Sequence, residues 1–201
     1  MADDGFSPTF LRNATAYGVS PKLRLDLVVN DLVASATLTG RILIKSDGSP
    51  WRPIVHVEDI CRAFSAVLAA PREDVHNQAF NVGQTAENYR IRDLAEFVRQ
   101  AVVGSRIEYA AGGGPDARCY RVDCSKLPRC VPGFRPAWNV QRGIQQLYDA
   151  FRSVPLSIED FAEERFIRLA ALQRLMRGGI VDADLRHPVS VDITKQQAIE
   201  A

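Results

Sequence analysis

Long apolar runs, an excess of either charge, paired metal ligands and glycine signatures are all scarce in this sequence. No apolar run approaches the roughly 20 residues that a membrane-spanning helix needs. The acidic start Met1-Ala2-Asp3-Asp4 has no basic segment followed by an apolar one, so no export signal is expected. The 25 Lys and Arg against 24 Asp and Glu leave a net charge of +1, which removes the electrostatic case for nucleic acid or an anionic membrane surface. Cys61, Cys119, Cys124 and Cys130 contain no Cys-x-x-Cys and read as reduced thiols of a cytoplasmic protein. His56, His76 and His187 stand far apart with none paired at i+4, so no metal site is expected. Neither Gly-x-Ser-x-Gly nor a Gly-x-Gly-x-x-Gly or Gly-x-x-Gly-x-x-Gly fingerprint occurs, and Gly112-Gly113-Gly114-Pro115 reads as a loop. Only four of the 25 basic residues are lysine; arginine is also the better fork for phosphate.

What is present is an ordinary globular composition, 46% hydrophobic and 24% charged, in which short strands alternate with one-faced helices. Pro8 to Arg12 reads as a strand that leaves through a polar turn, Asn13-Ala14-Thr15, to Tyr17-Gly18-Val19-Ser20-Pro21. Leu25, Val28, Val29, Leu32, Val33 and Ala36 recur at helical spacing until Gly40, a C′ position. Arg41 to Ile44 and Ile54 to Val57 flank Asp47-Gly48-Ser49-Pro50 and are expected to pair as a hairpin. Asp59 heads a helix through Ile60, Ala63, Phe64, Val67 and Leu68, where a carboxylate suits the orphan N–H groups, and Pro71 stops it. Further along come a strand over 78–83, a helix over 92–103, a strand over 106–110 and a helix from Val140 to Phe151. A last helix, with Ser157 as N-cap and Asp160 at N3, should run to Gly178-Gly179 before a loose tail. The alternation defines an α/β chain with some parallel pairing.

Asn13, Thr15, Tyr17, Arg52, Asn81, Asp116 and Arg118 fall at strand ends and in loops, where α/β sheets bind ligands. Each also has a milder explanation. Asn13 and Asn81 can satisfy turn backbone, Tyr17 can be a half-buried ring, and Arg52 can pair with Asp47 or Asp59 at the surface.

Four blocks of residues carry a resemblance. Leu11-Arg12-Asn13-Ala14-Thr15-Ala16-Tyr17-Gly18-Val19-Ser20-Pro21, Asp47 through Ala63 with Trp51-Arg52-Pro53-Ile54-Val55-His56-Val57-Glu58-Asp59 at its centre, Phe80-Asn81-Val82-Gly83 and Asp123-Cys124-Ser125-Lys126 occur in this order. Over about residues 3 to 150 the sequence resembles the C-terminal half of the extended short-chain dehydrogenases/reductases, the NAD-dependent nucleotide-sugar epimerases and dehydratases. The segment from Asp160-Phe161 through Arg165-Phe166 to Asp184-Leu185-Arg186 is similar to a C-terminal extension in one subgroup.

The resemblance implies an incomplete Rossmann-like α/β fold: a substrate-binding portion over 1–150, a helical extension over 151–186 and a loose tail over 187–201. It implies Asn13 beside the nicotinamide of NAD or NADP, Thr15 beside the sugar, Arg52 on a phosphate of the nucleotide-sugar, and Asp116 near the ribose. Thr15 stands where many members have Asn. Gly113 stands where they commonly have a second phosphate-binding Arg, leaving Arg118 as its replacement. The family's catalytic Tyr has a Lys four residues on. Here the residues four after Tyr17, Tyr89, Tyr109, Tyr120 and Tyr148 are Pro21, Asp93, Gly113, Cys124 and Arg152. No catalytic residue is therefore assigned, and neither turnover nor cofactor binding is expected of this chain alone. The expected partners are a nucleotide-sugar and either a second copy or a separately encoded N-terminal half, because two of the strands are interior ones in that family.

Overall fold

In the computed structural model, residues 3, 5–111, 114, 118–154, 157–158 and 166–187 are described. The chain enters through β1 (Thr9–Asn13) and, after a single break at Ala14, continues as β2 (Thr15–Tyr17). The Asn13-Ala14-Thr15 segment expected to be a polar turn is thus extended. Its backbone has ladder partners: the Ala14 N–H donates to the Val82 carbonyl at 3.0 Å, and Thr15 lies opposite Ile54.

Helix α1 (Val28–Thr39) follows, ended by Gly40 in the left-handed conformation at φ 67°, as its sequence position predicts. Then come β3 (Arg41–Ile44), β4 (Trp51–His56), α2 (Val57–Ala69), the short α3 (Arg72–Val75), β5 (Gln78–Val82), β6 (Asn88–Arg90), α4 (Ile91–Ala101) and β7 (Arg106–Tyr109). The described elements close with α5 (Lys126–Cys130), α6 (Val140–Ser153) and α7 (Arg168–Arg177).

Strand pairing is mostly parallel: β1 with β5, β2 with β4, and β3 with β7; β6 lies antiparallel on β4. The expected hairpin of residues 41–44 with 54–57 does not form. The intervening loop is engaged elsewhere, since Gly48 and Pro50 carbonyls accept the N–H groups of Arg92 and Ile91. That loop satisfies two orphan donors of the first turn of α4 instead of turning the chain back on itself. β3 is left free to pair with β7, and β4 with β2.

Two apolar clusters result. One joins α1, α4 and α6 to β2 and β3, burying Leu25, Val29, Leu32, Val33, Ile42, Ile44, Leu94, Val98, Ile144 and Leu147. The second lies under α2, β5 and α5 and centres on Phe80, Val82, Leu127 and Phe134. The helical periodicity of 25–36 and 140–151 therefore points where the sequence says it should. Each fully buried side chain of this kind contributes roughly 1.5–3 kcal/mol relative to its exposed state.

At the head of α2 the cap is His56, whose Nδ1 accepts the Glu58 N–H at 3.2 Å. Asp59, expected to serve those orphan donors, turns its carboxylate to the backbone N–H groups of Ala137 and Trp138 at 2.8 and 3.1 Å. At the other end, Ile167 is the N-cap residue of α7. The predicted Asp160 of the earlier helix start lies outside the described residues, as does the tail from 188. No helix among the described residues is long and apolar enough to cross a membrane.

Candidate functional site

Between the carboxyl end of β3, at Leu43 and Lys45, and the amino ends of β2 and β4, at Thr15 and Arg52, the structure opens a cleft of about 490 Å³. The carboxyl end of a parallel strand is where α/β folds hold their ligands, and β3 supplies one such end here. Its lining includes Thr15, Asp26, Asp31, Lys45, Arg52, Arg118 and Tyr120. Each arrives by a simple local route. Thr15 opens β2, Lys45 is the first residue past β3, Arg52 is the second residue of β4, and Asp31 lies in the first turn of α1. Tyr120 is tied across the mouth by its N–H to the Trp51 carbonyl at 3.4 Å, while the Trp51 N–H donates to Cys119 Sγ.

Arg52 is the most enclosed cation of the cleft, 8% exposed, with one guanidinium N–H on the Trp51 carbonyl at 2.9 Å. At this depth it is not a surface side chain. Lys45 reaches Asp31 at 3.0 Å. Asp26 is held from outside the lining by a two-bond Arg24 fork, 2.9 and 2.5 Å, and this guanidinium keeps its carboxyl below the usual range. The lining thus has three cations to two carboxylates, Asp26 being held by Arg24 from outside and Asp31 by Lys45 within. The first turn of α1 borders the same cleft at Leu27 and Val28, and its N-cap, Leu27, offers no side-chain hydrogen bond. Uncapped N–H groups and a positive helix end favour an anion.

Of the residues singled out in the sequence, Thr15, Arg52 and Arg118 converge here. Asn13 does not: it ends β1 opposite Val82, exposed and outside the lining. Asp116 lies outside the described residues. Asn81 donates to the Asp123 carbonyl at 2.9 Å, which ties β5 to the loop before α5. Lys45, Asp31, Asp26 and Tyr120 were not found from the sequence. Lys45 carried a usable signal, being the first residue beyond the carboxyl end of a predicted strand; neither type nor spacing marked Asp26 and Asp31.

Behind the cleft a buried polar cluster fixes β4. His56, 1% exposed, stacks on Trp138 with ring centroids 3.8 Å apart and meets Tyr17 edge-on at 5.2 Å. With Nδ1 accepting from Glu58, Nε2 carries the proton and donates to Gln146 Oε1 at 2.9 Å. Burial holds this imidazole below its ordinary pKa. Glu87 accepts the Val140 N–H and the Tyr89 hydroxyl, and burial pushes its carboxyl up.

A dinucleotide needs a glycine-rich turn from strand to helix, open to the pyrophosphate. The described residues do not fit that requirement. β1 leads directly into β2, with no helix between them, and the turn after β5 is filled: a Cβ added at Gly83 would meet Cys124 Sγ at 3.3 Å and the Ala14 Cβ at 3.4 Å. Gly18 faces the His56 ring rather than open space.

With this geometry in view, the comparisons show what the chain is similar to. Residues 1–83 match the model of the NAD dependent epimerase/dehydratase family. The fold is that of the extended short-chain dehydrogenases/reductases, in part. UDP-glucuronic acid 4-epimerase from Bacillus cereus, in complex with UDP-glucuronic acid and NAD, superposes with a TM-score of 0.61 at 20% identity, over 72% of this chain and 45% of its own. UDP-glucose 4-epimerase of Thermus thermophilus, in complex with NAD, gives 0.59 at 25% identity, over 75% and 48%. Among curated proteins, the low-salt glycan biosynthesis protein Agl12 of Haloferax volcanii is 25% identical over 146 residues, 72% of this chain and 45% of its own length. The chain spans less than half the length of these relatives.

Proposed function

We propose that residues 1–150 form the nucleotide-sugar-binding portion of an NAD-dependent epimerase/dehydratase, with the diphosphate seated on Arg52. The observation that carries this reading is an enclosed guanidinium in a cleft between the carboxyl end of β3 and the amino ends of β2 and β4, with Thr15 and Arg118 in the same lining. A planar, permanently charged fork matches two phosphate oxygens. The three cations and the uncapped start of α1 favour a divalent anion, Thr15 offers a hydroxyl to the sugar, and Asp116 is assigned to the ribose. Relatives crystallised with UDP-glucuronic acid and NAD support the ligand class. Asn13 is assigned to the nicotinamide side, at the open end of β1.

In this reading residues 151–186 are a helical extension and 187–201 a tail, and the protein works in the cytoplasm with Cys61, Cys119, Cys124 and Cys130 as thiols. The family's chemistry needs a glycine-rich turn and a Tyr-x-x-x-Lys pair that the 201 residues do not contain, so the chain binds substrate without turning it over.

The test is a titration with UDP-, dTDP-, GDP- and CDP-sugars at millimolar concentration, followed by amide NMR shifts. We expect weak binding of one nucleotide class, with shifts at Thr15, Lys45 and Tyr120. Arg52→Ala should weaken it by about 10- to 100-fold, the loss of a charge-assisted pair, with the folded spectrum retained. Shifts that survive Arg52→Ala, or none with any ligand, would overturn the assignment, and turnover by the purified chain would overturn its inactivity.

A further inference from the structure

A second cavity shares a wall with the cleft at Arg52. It measures about 580 Å³, within the range of small-molecule sites, and lies between residues 19–24, the carboxyl end of α6 and the first turn of α7. Val19, Leu23, Phe151, Val154 and Phe166 give it apolar sides, and Val154 is left 68% exposed. Its charged lining consists of Lys22, Arg24 and Arg168, with no carboxylate beside them.

Three cations around one apolar cavity repel one another until an anion joins them. Asp26 answers part of that charge: it accepts from Arg24 Nε at 2.9 Å and Nη2 at 2.5 Å, and Arg168 also draws its carboxyl down. Arg24 Nη1 makes no hydrogen bond among the described residues, and Lys22 has no ion-pair partner among them. α7 adds to the positive field. It begins at Arg168 with no acidic residue in its first turn and no side-chain bond from its N-cap, Ile167. An anion carried on an apolar body satisfies the sides and the cations together. Arg24 also connects this cavity to the other, since its guanidinium lines one while the carboxylate it holds, Asp26, lines the cleft.

We propose that this cavity binds a carboxylate or phosphate monoester on an apolar chain, its head among Lys22, Arg24 and Arg168, and that occupancy weakens nucleotide-sugar binding in the neighbouring cleft. The coupling runs through one guanidinium. A head group at Arg24 shares the charge that holds Asp26, so more of the Asp26 charge faces the cleft, where it repels a diphosphate. The effect is reciprocal, because two ligands that bias one group change each other's affinity by the same factor. The fork is about a third exposed, so a change of about five-fold is expected, the low end for coupled sites. The regulatory half of the proposal rests on reading the cleft as the nucleotide-sugar site; the binding half does not.

The experiment titrates the purified 201-residue chain with decanoate, decyl phosphate and decanol, followed by amide NMR shifts and by the carboxyl carbon of Asp26. At least one of the two anions should saturate, with shifts centred on Leu23, Val154 and Ala171, and the tighter of them identifies the head group. Lys22→Ala combined with Arg168→Ala should weaken that binding by about 10-fold or more, with the folded spectrum retained. At saturation the Asp26 titration should move to higher pH, and a nucleotide-sugar that binds the cleft should do so about five-fold more weakly. Asp26→Asn releases Arg24, so the anion should bind more tightly and the coupling should vanish. No saturable binding, decanol binding as tightly as the anions, undiminished affinity in the double variant, or equal shifts at the exposed Phe64 and Leu68 would overturn the site. An unmoved Asp26 titration overturns the coupling whether or not a nucleotide-sugar binds, so failure of the cleft reading and failure of this proposal are separable. Binding that emerges only after Glu159, Glu163 and Glu164 are changed to Gln and Asp160 to Asn gives the cavity to the chain's own acidic stretch and overturns the proposal.

Discussion

Gly143 lies in the middle of α6, where alanine is ordinarily the better helix former by about 1 kcal/mol. Here the sign reverses. A Cβ at this position would sit 2.3 Å from Cε2 of Tyr17, a ring that is 2% exposed and held against His56. Gly143→Ala is therefore expected to destabilise the protein by about 1–3 kcal/mol, the usual range for overpacking, read as a lower urea midpoint; a raised midpoint would contradict the close packing. At this scale the sequence was partly legible. Thr15 and Arg52 were singled out as strand-end residues, and the fold brings both into one cleft lining. Tyr17 could be read as half-buried but not as the ring that dictates a glycine 126 positions away, because that contact exists only after α6 packs on β2. Lys45 and Asp31, paired at 3.0 Å, were invisible for the same reason: neither residue type nor spacing announces a partner 14 residues off.

Among elements, the periodic helices were readable and the pairings were not. Leu25 to Ala36 and Val140 to Phe151 bury the faces their spacing predicts, while the 41–44 and 54–57 strands part company because their loop serves α4. β6 and α5 were missed: each is short, and Asn88 to Arg90 owes its extended form to register on Trp51 to Pro53 rather than to its own composition. Asp59 is the clearest exchange of roles. A position that suits helix capping is used to tie α2 to the segment entering α6, with Arg62 3.8 Å away and Glu58 accepting the Trp138 indole N–H. Asp59→Asn puts an amide N–H against a backbone donor, since the Ala137 and Trp138 N–H groups use separate carboxylate oxygens. The expected cost is about 1–3 kcal/mol for one unsatisfied buried donor, together with faster hydrogen exchange at Ala137 and Trp138. Unchanged exchange there would mean the tie is not made in solution.

For the molecule as a whole, pH reports on the buried polar cluster at the end of β4. His56 sits at the end of β4 between the Tyr17 and Trp138 rings, and burial favours its neutral form, against the pull of Gln146, Glu58 and Asp59 toward the charged one and with a smaller push from Arg142. An unfolded histidine takes up its proton in the ordinary imidazole range, near pH 6.5. Folded His56 does so only at lower pH, so the unfolded state binds more protons and stability falls as pH drops through that range, levelling off below the folded value. Glu87, raised by burial, acts in the opposite sense at more acidic pH, its folded carboxyl taking a proton before the unfolded one. His56→Asn keeps an acceptor for the Glu58 N–H and removes the titration. Urea midpoints measured between about pH 7.5 and 5.5 should fall more steeply for the natural protein than for this variant. Parallel slopes would show that His56 does not resist protonation.

The sequence has two tryptophans, and the fold puts them in opposite circumstances. Trp138 lies flat on His56, 3.8 Å between centroids, where the charge state of the imidazole governs how much of its emission is quenched. Trp51 stands beside the cleft with the guanidiniums of Arg90 and Arg121 at 5.1 and 4.8 Å from its ring centroid, one residue from Arg52. The intrinsic fluorescence thus has two tryptophan channels, one beside a buried imidazole and the other among arginines at the cleft.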